Sequence, residues 1–147
     1  MDMNQTVIAI GADHAGFLLK EKLKEIRTIR WIDCGTGSEE AVDYPDYAHG
    51  VSQHILEGKA GYGVLICGTG IGMSIAANRH PGVRAALCTT PLMVQYARQH
   101  NDANILVLGA HLISMEEAQA YLEIFLTTAF EGGRHKKRIE KINPSFS

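Results

Sequence analysis

Residues 64–74 read VLICGTGIGMS. An apolar run ends in Cys67. Gly68, Gly70 and Gly72 follow at alternate positions, and beyond them the pattern turns helical. This is a strand giving way to a glycine-rich loop and then a helix, and the same rhythm repeats along the chain. TVIAI (6–10) is a short apolar strand, followed by GADHAG and a helix in which Leu19, Leu23 and Ile26 recur at helical spacing. IRWID (29–33) is a second strand, then a turn-rich loop, CGTGSEEAVDYPDY, and a helix over 46–57. GVLIC (63–67), VRAALC (83–88) and NILVLG (104–109) are strands three to five, with helices from about 72 and over 91–100 after the third and fourth. SMEEAQAYLEIFLTTAF predicts a long final helix. Ser114 and Glu117 form its capping box, and Ala118, Leu122, Phe125 and Ala129 form its apolar face.

Strands that alternate with helices predict an α/β, three-layer αβα fold. Its core is a five-stranded, parallel, doubly wound (Rossmann-like) sheet with right-handed crossovers and a C-terminal helical tail. Short all-apolar strands agree, because strands of such sheets are covered on both faces. In these folds ligands bind beyond the carboxyl ends of the strands. The 147 residues suit one domain, 1–147, and no linker, repeat or low-complexity segment divides it. The tail, EGGRHKKRIEKINPSFS (131–147), stands apart, with two glycines, a basic run and few apolar residues.

The composition narrows the function. A net charge of −2 supplies no global field for nucleic acid or anionic membrane. No apolar run has the length of a membrane span, and the N-terminus lacks the pattern of a signal peptide. Cys34, Cys67 and Cys88 are odd in number, widely spaced and form no C-x-x-C, which favours a reduced, cytoplasmic setting. Seven histidines show no H-x-x-x-H spacing and no cysteine partner, so neither a metal site nor a cofactor is expected.

The predicted carboxyl edge collects the polar candidates: Asp13 and His14 after strand one, Cys67 and loop 68–72 after strand three, Thr89 and Thr90 after strand four, His111 after strand five. The loop has Met73 where a dinucleotide fingerprint needs glycine, and no lysine for a phosphate loop. It can still aim successive N–H groups at an anion; a steric turn explains its glycines equally well. Cys67 alone reads more readily as a small buried hydrophobe than as a reactive thiol. Asp13–His14 reads equally as a turn with a helix cap. His100 and Asn101 precede strand five, so spacing alone does not bring them to the same edge. Arg134 and Arg138, four apart, share a helix face and could grip a phosphate, although by composition the tail is a solvated basic segment.

Taken together, GADHAG, DYPDYA, GVLICGTGIGMSIAANR, RQHNDANILVLG and EGGRHKKR, in that order, resemble the type B ribose-5-phosphate isomerases. That family also includes galactose-6-phosphate and allose-6-phosphate isomerases. The likeness spans about 8–141. CGTG marks the branch with a cysteine base; the other branch has glutamate at the position of Met73. The resemblance implies an aldose–ketose isomerase of the pentose phosphate pathway, working through a cis-enediolate without a cofactor. It implies Cys67 as the base between C1 and C2, assisted by Thr69, with the backbone of Gly68, Gly70, Ile71 and Gly72 as the anion hole. His100 would open the sugar ring, aided by Asp13. Asn101 and Tyr44 would hold the sugar, and His14, Arg134 and Arg138 the phosphate. Many relatives carry arginine at His111, a position that contributes to phosphate or sugar binding, so six-carbon sugar phosphates remain an alternative to ribose 5-phosphate. The family implies a homodimer or dimer of dimers with the site between subunits, the tail 131–147 completing the neighbour's site. A non-catalytic phosphate-ligand module and a nucleic-acid-binding tail are the competing readings.

Overall fold

The computed structural model describes residues 5–145. The elements run β1 (Thr6–Ala12), α1 (Phe17–Leu23), β2 (Ile29–Asp33), α2 (Tyr44–Leu56), β3 (Tyr62–Cys67), α3 (Ile71–Ala77), β4 (Ala85–Leu87), α4 (Pro91–Gln99), β5 (Ile105–Gly109), α5 (Met115–Thr127) and α6 (Arg134–Glu140). The five strands form one sheet in the order β2-β1-β3-β5-β4, every neighbouring pair parallel. The αβα, doubly wound expectation holds.

Alternation along the central strands builds two cores. Ile8 and Ile10 of β1, Val64 and Ile66 of β3, and Leu106 and Leu108 of β5 face one side, against Leu23 of α1, Val94 and Ala97 of α4, and Leu122 and Phe125 of α5. Their neighbours Ala9, Leu65, Cys67, Ile105 and Val107 face the other side, against Ala48 and Val51 of α2 and Met73, Ala76 and Ala77 of α3. Each fully buried Ile, Leu or Phe contributes about 1.5–3 kcal/mol. This is why three strands read as unbroken apolar runs. The two edge strands do not follow the rule: β2 is half exposed and β4 is only three partly buried residues.

Several boundaries shift. β1 extends to Ala12, β4 shrinks to Ala85–Leu87, and α2 begins at Tyr44 with Pro45 in its first turn, where a missing N–H costs nothing. Ile26 lies beyond the end of α1, although it packs against the core. Ala129 lies past α5 and is exposed, because the helix ends at Thr127. The capping box of α5 is present: Ser114 Oγ accepts from Glu117 N–H at 3.1 Å, and Glu117 Oε1 accepts from Ser114 N–H at 2.9 Å. The tail folds as the short helix α6, tied to its own chain by Glu131 N–H donating to Gln99 O at 3.0 Å. Among the described residues, no helix is long and apolar enough to cross a membrane.

Candidate active site

Strand order places β3 at the centre, with β1 and β5 on either side. The chain runs outward to β2 after β1 and reappears on the other side at β3, so a topological switch point falls between β1 and β3. The carboxyl ends of these three strands are pinned together. Asp13 N–H donates to Ile66 O at 3.2 Å, Ala110 N–H to Cys67 O at 2.8 Å and His111 N–H to Gly68 O at 2.9 Å. Asp13, the loop after Cys67, and His111 therefore stand side by side at one edge.

The glycines of the loop answer to different neighbours. A Cβ on Gly68 would lie 2.9 Å from His111 Cδ2, and one on Gly72 only 2.5 Å from Tyr44 Cζ. Both aromatic rings thus lie directly on the loop. Gly70 has φ +81°, in the left-handed region, with Leu87 Cδ1 and the Leu108 backbone against it. Its N–H donates to Cys67 Sγ at 3.2 Å. Ile71 N–H donates to Thr69 Oγ1 at 3.3 Å, which leaves the N–H groups of Gly68 and Thr69 without a partner among the described residues.

Cys67 is 5 % exposed, beneath this loop. Two further free thiols stand at strand ends, Cys34 and Cys88. Burial pushes Cys34 up to about 11, helped by the Asp33 carboxylate, and burial alone pushes Cys88 up to about 12. Both therefore stay protonated near neutral pH. Asp13 is buried, and its Oδ1 accepts from Ala15 N–H at 3.0 Å and Gly16 N–H at 3.1 Å. The carboxylate holds the turn that leads into α1; the helix itself is N-capped by Gly16 with no side-chain cap, so the pair makes the turn but not the cap. His14 is exposed, and its Nδ1 accepts from Val42 N–H at 3.2 Å. A neutral His14 ring consequently carries its proton on Nε2, facing outward as a donor. Thr90 is spent as the cap of α4, accepting from Met93 N–H at 3.2 Å.

His100 is elsewhere. α4 runs back against the strands, so its C-cap, His100, reaches the amino edge of the sheet, as does Asn101 just before β5. The six residues of β3 set the two edges apart by on the order of 15 Å, at ~3.3 Å per residue. One chain does not bring Cys67 and His100 together. His100 instead belongs to a cluster with the tail. Its ring stacks on Tyr96 on one face (centroids 4.7 Å) and on His135 on the other (4.3 Å, 13° between planes). Glu131 Oε1 lies 3.8 Å from His100 Nε2 and 3.5 Å from His135 Nε2. Arg134 and Arg138 project from α6, both exposed.

Sequence reasoning missed Tyr96, Glu131 and His135 as companions of His100. The signal for them is the four-residue spacing of Glu131 and His135, which lies in the same motif as Arg134 and Arg138. The spacing of the histidines also predicted no set of metal ligands. The fold nevertheless brings one donor atom from each of His100, Glu131 and His135 within 4.8 Å of the others, a grouping that spacing along the chain does not display.

Comparison with known proteins identifies the family and agrees with the fold. The family model for Ribose/Galactose Isomerase matches residues 8–142. Ribose-5-phosphate isomerase B of Escherichia coli is 44 % identical over 138 residues, covering 92 % of this chain and 93 % of that protein. The crystal structure of a ribose 5-phosphate isomerase from Thermotoga maritima superposes with a TM-score of 0.93 at 56 % identity, covering 95 % of this chain and 98 % of that one. Type B ribose 5-phosphate isomerase of Trypanosoma brucei gives a TM-score of 0.89 at 43 % identity, covering 94 % and 97 %. With sequence, sheet topology and the loop after β3 all in agreement, the chain belongs to the ribose/galactose isomerase family and is a sugar-phosphate isomerase of the aldose–ketose type.

Proposed function

We propose that this enzyme interconverts ribose 5-phosphate and ribulose 5-phosphate, with Cys67 as the base. The observation that carries the reading is the setting of its sulfur: beneath a loop with two unpartnered N–H groups, with the N–H of Gly70 aimed at it. In the open-chain aldose, the Cys67 thiolate removes the C2 proton and the electron pair moves toward the C1 oxygen. The resulting cis-enediolate meets the N–H groups of Gly68 and Thr69 and the Thr69 hydroxyl. Such preorganised donors contribute about 3–4 kcal/mol each when deleted singly. The Cys67 thiol then returns its proton to C1 while the proton of the C2 hydroxyl passes to the C1 oxygen, giving the ketose, and no electron acceptor is consumed. Tyr44 and His111, packed on the loop, hold the sugar and exclude water.

Ring opening needs a second acid/base group, and an imidazole titrates in the right range. His100 fits this role, held flat between Tyr96 and His135. Its distance from Cys67 in one chain supports a second copy as its source: in this reading His100, Asn101, Arg134 and Arg138 of one subunit complete the Cys67 site of another. Exposed apolar side chains support such pairing, Ile71 and Ile75 on α3 and Leu92, Met93 and Tyr96 on α4. Arg134, Arg138 and His14 then bind the phosphate. A six-carbon substrate is the second reading, favoured by His111: at that place on the loop it is shorter than arginine and leaves more room.

The test is subunit complementation. Cys67→Ala and His100→Asn are each inactive on ribose 5-phosphate, and a refolded equal mixture of the two regains about a quarter of wild-type activity, because half the random dimers carry one intact site. A mixture as inactive as its parents refutes the shared site. An active Cys67→Ala refutes the base. Turnover of allose 6-phosphate or galactose 6-phosphate in preference to ribose 5-phosphate selects the second reading.

A further inference from the structure

We propose that His100, Glu131 and His135 form a binding site for a divalent transition-metal ion, zinc first among them, and that occupancy switches the enzyme off. The first argument is an unmet need. His135 is only 5 % exposed, and its Nε2 is buried with no hydrogen-bond partner. Such an atom costs about 1–3 kcal/mol unless something satisfies it. Glu131 Oε1 lies 3.5 Å from that nitrogen, and the ring of His100 stacks on the same imidazole.

The second argument is the donor set. Two imidazoles and one carboxylate, with a fourth position for water, suit zinc, and imidazole ligands also suit copper and nickel. The three donor atoms lie within 4.8 Å of one another. Ligands on a tetrahedral zinc stand about 3.4 Å apart, given Zn–N bonds of about 2.0–2.1 Å. Closing the triangle falls to the more exposed members. The side chains of Glu131 and His100 are 46 % and 34 % exposed, and His100 must tilt out of its stack; His135 is the fixed ligand. The nearby cations Arg134 and Arg138 oppose a positive ion, which makes the site one for reversible capture rather than a permanent structural metal. The other histidine pair does not compete as well. His49 Nδ1 and His80 Nε2 already share a hydrogen bond at 2.7 Å, and no third ligand joins them among the described residues.

Binding stands on this geometry alone; inhibition rests on the role proposed above for His100. An ion bound to that ring takes the lone pair that would move the proton in ring opening.

The experiment titrates metal-free, full-length enzyme with zinc by calorimetry and with cobalt by visible absorption. One ion per chain is expected, with the intense absorption of tetrahedral cobalt. His135→Gln and Glu131→Gln should each weaken binding by at least about tenfold, while His49→Gln leaves it unchanged. Circular dichroism checks that each variant is folded. Zinc should abolish isomerisation, a chelator should restore it, and residual activity of His135→Gln should tolerate zinc. No saturable binding, binding untouched by both His135→Gln and Glu131→Gln, or binding lost in His49→Gln overturns the site. Binding as expected with turnover unaffected overturns the inhibitory claim and the role of His100, and leaves the site itself standing.

Discussion

Gly70→Ala and Gly72→Ala place the same methyl group two residues apart in one loop, and the structure expects opposite outcomes. At Gly70 the backbone has φ +81°, which costs a residue with Cβ about 1–2 kcal/mol. The new Cβ would also sit 2.5 Å from Leu87 Cδ1 and 3.2 Å from the Leu108 carbonyl carbon and oxygen. Leu87 can shift, but the β5 backbone cannot, and overpacking of this kind costs about 1–3 kcal/mol. Reduced freedom of the unfolded chain returns roughly 0.4–1 kcal/mol. The net loss is about 2–3 kcal/mol, or roughly 5–10 °C in Tm for a chain of this size. Because the Gly70 N–H is the donor to Cys67, kcat should fall with stability. At Gly72 the backbone is helical, and the three atoms nearest the Cβ would all belong to the ring of Tyr44, with Cζ at 2.5 Å, a residue 40 % exposed. The ring swings away, stability changes by less than about 1 kcal/mol, and the loss appears in KM. Urea unfolding with steady-state kinetics measures both. A Gly70→Ala enzyme within about 0.5 kcal/mol of wild type and with full kcat would refute this account of the loop.

Two further outcomes follow from the charges and thiols. Lys20 is fully buried, with Asp33 Oδ2 and Glu21 Oε2 each 2.8 Å from its Nζ, and Lys24 joins the same carboxylates. The Lys20 and Lys24 hydrogen bonds hold Glu21 below the usual carboxylate range; at Asp33 burial pulls upward, and the same two lysines outweigh it. Folded values below unfolded ones mean stabilisation that is complete above the unfolded values, about 3.9–4.3, and lost as pH falls through the folded values. Thermal melts from about pH 3 to 7 should show a shallower acid limb for Asp33→Asn than for wild type; identical limbs would remove the network from the explanation. Cys34 and Cys88, with thiols at about 11 and about 12, should resist iodoacetamide in the native enzyme near neutral pH, so that inactivation tracks modification of Cys67. Peptide mass spectrometry decides it, and labelling of Cys88 in folded, active enzyme would contradict the burial argument.

What could be read without coordinates had a local physical cause. The runs of β1, β3 and β5 are apolar because both faces are covered, and that requirement is written in consecutive residues. The Ser114 box is likewise a three-residue affair. The glycines were visible, but not their reasons: Gly68 and Gly72 are small because of His111 and Tyr44, which approach from 43 and 28 residues away. The apolar pattern over 83–88 overstates edge strand β4, because partial exposure leaves it ambiguous, and the apolar spacing extends to Ala129 although the end of α5 depends on packing.

The sequence by itself determined the class of fold, the thiol at the end of the central strand and the family motifs, since each depends on short-range patterning or residue identity. Only the tertiary structure decided the strand order, and with it two outcomes. Asp13, Cys67 and His111 meet at one edge, while His100 joins Tyr96, Glu131 and His135 at the other. The reason is that parallel strands connected through helices send every helix back across the sheet, so neighbours in sequence part and distant residues meet according to which strand lies beside which.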